Sequence, residues 1–377
     1  MSRRQRQPVH TVYGGAQLFK PDVGPRMGAR ALEALRRFLP DPTAFAECFG
    51  FPQALAQPVY ERAVTKLEHE PVEDYRIDFE DGYGIRSDSE EDGHAVSTAR
   101  AAAQGLAQPG FPPFFGIRIK PLTELSRTRA TKTLHLFLDT LAGEVGQPPK
   151  NFVVTLPKVT EPRQVTALIA ELESHPGVRI ELMIETPQSI IDSAGRFAIP
   201  ALLDAAQGRC RGLHFGAYDY TACLGIAAEH QKLTHPACDF ARQAMLASTA
   251  GRGAMLSDGA TNVLPIHQDP TVVRNALRLH LDHIQRAMAH GFYQGWDLHP
   301  AQLPARYAAV YAFFLESFET SSARLRNFTE QSERAVRTGE IFDDAATGEG
   351  LRNFFQRGLD CGAFSASELE QAGLRIG

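Results

Sequence analysis

One feature constrains the fold of this chain more than any other. Short runs of β-branched and aromatic residues alternate with longer stretches of helical period, the pattern of βα units around a parallel sheet. Eight strand candidates are legible, at 10–15, 75–81, 114–120, 152–159, 179–186, 212–220, 262–267 and 291–299. Helical patterns lie between them, for example at 163–174, 187–197 and 269–289. This alternation predicts an α/β protein, a closed (β/α)8 TIM barrel over residues 1–305 with a helical C-terminal extension over 306–377. Two segments exceed the minimal repeat. Residues 35–74 are too long for one βα connection and are expected to carry extra helices. Beyond Pro304 runs a helical tail (307–318, 332–337, 351–359), interrupted by the turn-rich TGEIFDDAATGEG at 338–350.

Composition narrows the function classes. The 377 residues are 43% hydrophobic, ample for a large core. The net charge of −5 and pI near 6.2 supply no basic field for nucleic acid, so small-molecule work is expected. Cys48, Cys210, Cys223, Cys238 and Cys361 form no CxxC pair, and five scattered thiols suit a reducing compartment. The basic start MSRRQRQPVH leads into no apolar segment, and no run approaches a membrane span of ~18 apolar residues. The expectation is a cytoplasmic protein with no membrane partner.

The chemistry of such barrels sits at the C-terminal ends of the strands, and here those ends are unusually polar. Asp78-Phe79-Glu80-Asp81 ends the second strand, and Arg118 and Lys120 lie on the third. Lys158 follows the fourth, Glu185 closes the fifth, Asp219 the sixth and His299 the eighth. Buried charges are costly unless they meet a partner. The balance of Asp78, Glu80, Asp81, Glu185 and Asp219 against Arg118, Lys120 and Lys158 is acidic. A hard cation held by two carboxylates would settle that surplus, and Mg2+ favours one or two protein carboxylates completed by water and substrate oxygens.

Each residue also has a plainer reading. A strand-end acid is commonly a helix cap or a surface ion pair, and Asp81 before Gly82 fits turn chemistry. His267 and His299 fit structural histidines, and no HxH or HExxH spacing indicates zinc. No cysteine stands beside a His/Asp arrangement, and the pair Gly14-Gly15 does not by itself define a phosphate cradle. The inference rests on convergence at one barrel mouth.

In that order along the chain, the strand ends resemble the citrate lyase β-subunit-like group of the HpcH/HpaI aldolase superfamily, relatives of malyl-CoA lyase. The matching segments are HTVYGGAQLFKPDVGPRMGARALEAL at 10–35, DFEDGYG at 78–84, GIRIK at 116–120 and LPKV at 156–159. They continue with MIETPQSI at 183–190, FGAYDYTACLG at 215–225 and GFYQGWDLHPAQ at 291–302. The resemblance implies Glu185 and Asp219 as ligands of Mg2+, with Mn2+ as the alternative. It implies Arg118 as the clamp on a substrate carboxylate, with Lys158, Pro187 and His299 completing the substrate site. Asp78, Glu80 and Asp81 would orient metal-bound waters. GEIFDDAATGEGL at 339–351 resembles the segment that carries a catalytic aspartate, placing it at Asp343, with Asp344 beside it. In relatives this tail covers the active site of an adjacent chain, which implies a homo-oligomer, a trimer or hexamer.

The chain departs from the family pattern at Trp296, where a lysine is usual, and at Lys120, where an asparagine is usual. Both positions handle coenzyme A thioesters in relatives, so use of CoA stays open. The function implied is a Mg2+-dependent carbon–carbon lyase or aldolase that forms a metal-stabilised enolate from a hydroxy acid, a 2-oxo acid or an acyl thioester. A synthase or thioester hydrolase using the same enolate, and a non-catalytic barrel that binds a small acid, are the alternatives.

Overall fold

The computed structural model describes residues 6–331, 336–338 and 341–374, with 336–338 and 341–343 described by backbone alone. Strand β1 (His10–Gly15) leads into helices α1 (Val23–Phe38), α2 (Pro42–Phe49) and α3 (Gln53–His69). Then follow β2 (Asp74–Asp78), α4 (Asp88–Leu106), β3 (Phe114–Arg118), α5 (Arg127–Val145), β4 (Phe152–Leu156) and α6 (Pro162–Glu171). The next units are β5 (Arg179–Ile184), α7 (Pro187–Ile190), α8 (Ile199–Ala205), β6 (Cys210–Phe215), α9 (Ala217–Cys223) and α10 (Pro236–Thr249). The ring ends with β7 (Met255–Ala260), α11 (Pro270–Ala289) and β8 (Gln294–Asp297). Strands β1 to β8 form a closed parallel barrel in sequence order, with β8 pairing back onto β1. Among the described residues no helix is long and apolar enough to cross a membrane.

Local chemistry sets the element ends. Ser87 and Glu90 form a reciprocal capping box at the start of α4, and Asp269 caps α11 with Pro270 at its first position. Asp41 caps α2, and Gly50, at φ 71°, ends it in the left-handed region. The long connection after β1 is helical throughout much of its length, as α2 and α3 occupy it.

Three expectations need correction. The seventh strand is Met255–Ala260, not 262–267. MLSDGA reads as a turn, but Asp258 meets Arg242 at 3.1 Å and Ser257 is buried, so tertiary partners support polar residues in a strand. The helix expected at 187–197 divides into α7 and α8, because Asp192 Oδ1 accepts from the backbone of Ala194 and Arg196 (both 2.9 Å) and builds a turn. Within the tail segment expected to be helical at 332–337, Val336–Thr338 is strand β9, paired antiparallel with β10 (Ile341–Asp343).

Beyond the barrel lie α12 (Leu303–Glu316), α13 (Phe318–Glu330), α14 (Ala345–Cys361) and α15 (Ala366–Gln371). Helix α12 is almost wholly buried against α3 and α11. Arg357 of α14 donates to Gln7 Oε1 (2.8 Å) and lies 4.0 Å over the Tyr293 ring. These two residues precede β1 and β8, so the second half of α14 lies at the N-terminal end of the strands, away from the mouth.

The barrel interior is ionic where aliphatic layers are usual. Arg76, fully buried, donates to Asp74, to Thr155 Oγ1 (3.1 Å) and to Glu181 Oε2. His214 Nε2 lies 3.1 Å from Glu181, and the Tyr13 hydroxyl 3.3 Å from His214 Nδ1. Removing one member would strand a buried charge, at about 3–5 kcal/mol.

Candidate active site

Side chains alternate in and out along a strand, so Asp78, Arg118 and Glu185 point inward from the ends of β2, β3 and β5. Asp78 takes both Nε (2.7 Å) and Nη2 of Arg118, and also accepts from the backbone of Glu80 (3.0 Å) and Gly82 (2.7 Å). Arg118 is 2% exposed, and its guanidinium lies 4.9 Å from the Tyr13 ring centroid and 5.7 Å from that of Trp296. Asp78 therefore positions the arginine, where orientation of metal-bound water was expected of it. The two-pronged face expected to grip a substrate is already engaged. What remains is Nη1, which forms ion pairs with Glu80 Oε2 at 3.2 Å and Asp81 Oδ2 at 3.7 Å but makes no hydrogen bond among the described residues. Nη1, Glu80 Oε2 and Trp296 Nε1 are buried with no hydrogen-bond partner among the described residues. Buried polar atoms are rarely left so, and three together mark where a ligand belongs.

Glu185 is 1% exposed and accepts the Lys158 backbone N–H on Oε1 (2.6 Å). Burial, reinforced by the Asp219 carboxylate, pushes its carboxyl up to about 7 against the pull of Lys158 and Arg118. A Cβ at position 216 would stand 2.5 Å from Glu185 Cβ and Oε2, so only glycine there leaves the carboxylate its place. Glycine at 15 has a similar reason: a Cβ would meet the Gly82 carbonyl at 2.3 Å. That close approach explains the glycine by backbone packing.

Lys158 follows β4 in a left-handed conformation (φ 50°), uncommon for a side-chain-bearing residue. Its Nζ donates to Glu80 Oε1 (2.6 Å) and Asp81 Oδ2 (3.1 Å) and stands 3.7 Å from Asp219 Oδ2. Burial opposes this charge, but Glu185, Glu80 and Asp81 outweigh it and raise the ammonium above its ordinary range. Asp219 does not close the sixth strand as expected: β6 ends at Phe215, and Asp219 lies in the first turn of α9 with its carboxylate half-exposed.

The mouth fits a divalent cation of the oxygen-seeking kind. Its acceptors are carboxylate oxygens, among them Glu80 Oε2, which makes no hydrogen bond among the described residues, and Glu185 and Asp219 face each other closely enough to raise the Glu185 pKa. Among the described residues no three His, Cys, Asp or Glu converge as a complete cage. Two carboxylates with the remaining positions left to water and substrate is the Mg2+ pattern.

The other anticipated residues are placed differently. Pro187 opens α7 beneath the Thr186 cap, where its fixed φ suits the first helical position. His299 Nδ1 accepts the Ala301 N–H (3.1 Å) and so caps the 3-10 turn Pro300–Gln302. The side chain of Asp343 lies outside the described residues. Asp344 caps α14 through the N–H groups of Ala346 and Thr347 (both 3.0 Å), and so has a structural part.

Sequence reasoning missed Tyr13, although the inward alternation Thr11, Tyr13, Gly15 was available to find it. It also passed over Asp297, fully buried on the outer side of β8, where it meets His10 (2.7 Å), His280 (2.8 Å) and Arg306 (2.8 Å). That cluster ties β8 to β1, α11 and α12, and faces away from the mouth.

Fold and site together define a (β/α)8 barrel with an acidic mouth crossed by one arginine and one lysine. The chain belongs to the family described as Domain of unknown function (DUF6986), matched over residues 2–376. None of the curated proteins matches it in sequence. Among solved structures it is similar to a citrate lyase from Burkholderia xenovorans LB400, at 17% identity and a TM-score of 0.63, covering 99% of this chain and 98% of that one. It is also similar to the protein CitE from Mycobacterium tuberculosis in complex with magnesium, acetoacetate and coenzyme A, at 16% identity and a TM-score of 0.54, covering 94% and 98%. The citrate lyase-like resemblance of the motifs is thus matched by the fold.

Proposed function

We propose that this protein is a Mg2+-dependent carbon–carbon lyase acting on a small carboxylic acid of the hydroxy or 2-oxo type. The observation that carries the reading is the pairing of a buried, electrically strained carboxylate, Glu185, with Asp219 beside two buried donors, Arg118 Nη1 and Trp296 Nε1, that make no hydrogen bond among the described residues. The magnesium and acetoacetate of the M. tuberculosis protein support it by analogy of fold.

In this reading Glu185 and Asp219 hold the cation. Bound there, it supplies Lewis-acid stabilisation to an oxygen that gains negative charge. Arg118 Nη1 and Trp296 Nε1 donate to the substrate carboxylate. Asp78 and the flanking rings of Tyr13 and Trp296 fix the arginine before substrate arrives, which lowers the ordering needed at binding. Lys158 sets the electrostatic balance and locks the backbone that supports Glu185. Asp343 acts as the general acid/base, delivered from an adjacent chain of a homo-oligomer. Motif position alone motivates that assignment.

The test is a panel of 2-oxo acids, hydroxy acids and their CoA thioesters, incubated with protein and Mg2+ and analysed for cleavage products. Trp296, the only tryptophan in the chain, reports binding through its emission. Cleavage of a free acid that EDTA abolishes is the expected result. Cleavage unaffected by EDTA, or none across the panel, would overturn the reading.

A further inference from the structure

The opposite end of the barrel holds a cavity of about 690 Å3. Arg179, Arg211 and Arg357 line it together with Gln7, Leu246 and Met255, and among the described residues no Asp or Glu lines it. An arginine-lined cavity without an acid is the reverse of the mouth.

A register slip creates this arrangement. Ile180 of β5 pairs with Cys210 of β6, but Glu181 pairs with Gly212, leaving Arg211 as an extra residue in β6. Such a bulge re-aims a side chain. Arg211 is 4% exposed, stacks 4.3 Å over the Phe114 ring and reaches the Asn151 carbonyl with Nη1 at 3.5 Å, while Nη2 is buried with no hydrogen-bond partner among the described residues. Arg179 donates Nη2 to the Gly208 carbonyl at 3.4 Å, while its Nε is likewise buried without a hydrogen-bond partner among the described residues.

Comparison with the other buried arginines sharpens the point. Arg76 and Arg118 each have carboxylates in direct contact, and both have raised pKa values. Arg211 has none in contact, because Glu181 is taken by Arg76 and His214. Burial accordingly lowers the Arg211 pKa despite the more distant Glu181 and Asp74. A buried guanidinium with an idle N–H is costly until an anion joins it.

We propose that this cavity binds a small organic anion, a phosphate or carboxylate, seated on Arg179 and Arg211 with its body against Leu246 and Met255. Arg357, already held by Gln7 and Tyr293, forms the outer wall. This end of a (β/α)8 barrel ordinarily serves stability, so the ligand acts without touching the reacting atoms. The site is independent of the chemistry proposed for the mouth.

Calorimetric titration of the full chain with phenyl phosphate, benzoate and inorganic phosphate tests it. One equivalent of phenyl phosphate or benzoate should bind with a dissociation constant of about 1 mM or below, and the preferred probe identifies the anion class. Arg211→Met and Arg179→Gln should each weaken that binding by about tenfold, whereas Arg118→Lys at the mouth should not. Where Arg211→Met fails to fold, Arg179→Gln alone decides. Absence of binding up to about 10 mM probe, or affinity unchanged in Arg179→Gln, overturns the proposal. So does affinity lost in Arg118→Lys instead, which would put the anion in the mouth.

Discussion

Asp78 and Arg118 stand opposite each other on β2 and β3, and the carboxylate holds the guanidinium by Nε at 2.7 Å and by Nη2. This pair converts a flexible cation into a fixed donor and leaves Nη1 as the nitrogen that Asp78 does not take. The same carboxylate accepts from Glu80 and Gly82, so the loop that carries Glu80 and Asp81 is set by the same contact.

Arg118→Lys keeps the charge but loses the fork. Urea unfolding should show a loss of about 3 kcal/mol, the cost of disturbing a buried ion pair. Against a substrate found in the panel, kcat/KM should fall about tenfold or more. A variant as stable and as active as the parent would deny the pair both parts.

Glu185→Gln removes a buried charge without changing shape. Mg2+ affinity measured by calorimetry should fall about tenfold or more, and Asp219→Asn should do the same. Parent-like binding in Glu185→Gln would move the metal site elsewhere.

Lys158 stands among the carboxylates that a cation would seek, 2.6 Å from Glu80 and 3.7 Å from Asp219. Lys158→Met should therefore tighten Mg2+ binding by about fivefold, because a competing charge is gone. Turnover should fall, because the mouth loses its balance. Weaker Mg2+ binding would show that the ammonium supports the site and does not compete for it.

Glu73 ties the start of β2 to Lys66, and to Arg6 at 3.0 Å. Burial alone would raise its carboxyl, but these two cations hold it down at about 2, below its ordinary 4.5. Between those values the folded chain binds fewer protons than the unfolded one. The stabilisation is complete above pH 4.5 and is lost as the pH falls toward 2. By linkage it amounts to about 3 kcal/mol. Denaturant midpoints from pH 6 down to 3 should drop more steeply for the parent than for Glu73→Gln. Parallel curves would remove Glu73 from the acid response.

Delivery of Asp343 from an adjacent chain has its own test. Inactive Asp343→Asn and inactive Glu185→Gln chains, mixed and allowed to exchange, should regain up to about a quarter of parental activity if neighbouring chains share sites. Full activity of Asp343→Asn alone would remove the residue from the mechanism.

Much of this molecule was legible in the sequence, because βα alternation depends on local periodicity and on caps such as Asp269-Pro270 that act within a few residues. Strand β1 matches its expected bounds of 10–15. The polar ends of β2, β3 and β5 carry the residues that converge. The miss at β7 has the opposite cause, since Ser257, Asp258 and Gly259 favour a turn locally and only Arg242 and the neighbouring strands make them a strand.

The sequence by itself determined the architecture and most of the charges that meet at the mouth, since strand order and alternation fix them, but Lys120, expected there, bonds Glu91 of α4 at 2.6 Å instead. The tertiary structure alone decided how those charges pair. Asp78 takes Nε and Nη2 of Arg118, Lys158 lies between Glu80 and Asp219, and a bulge turns Arg211 toward a cavity lined by arginines. Pairing depends on distances of a few ångströms between residues far apart in the chain, and Coulomb energies at that range change steeply with separation and burial. No local pattern encodes such distances.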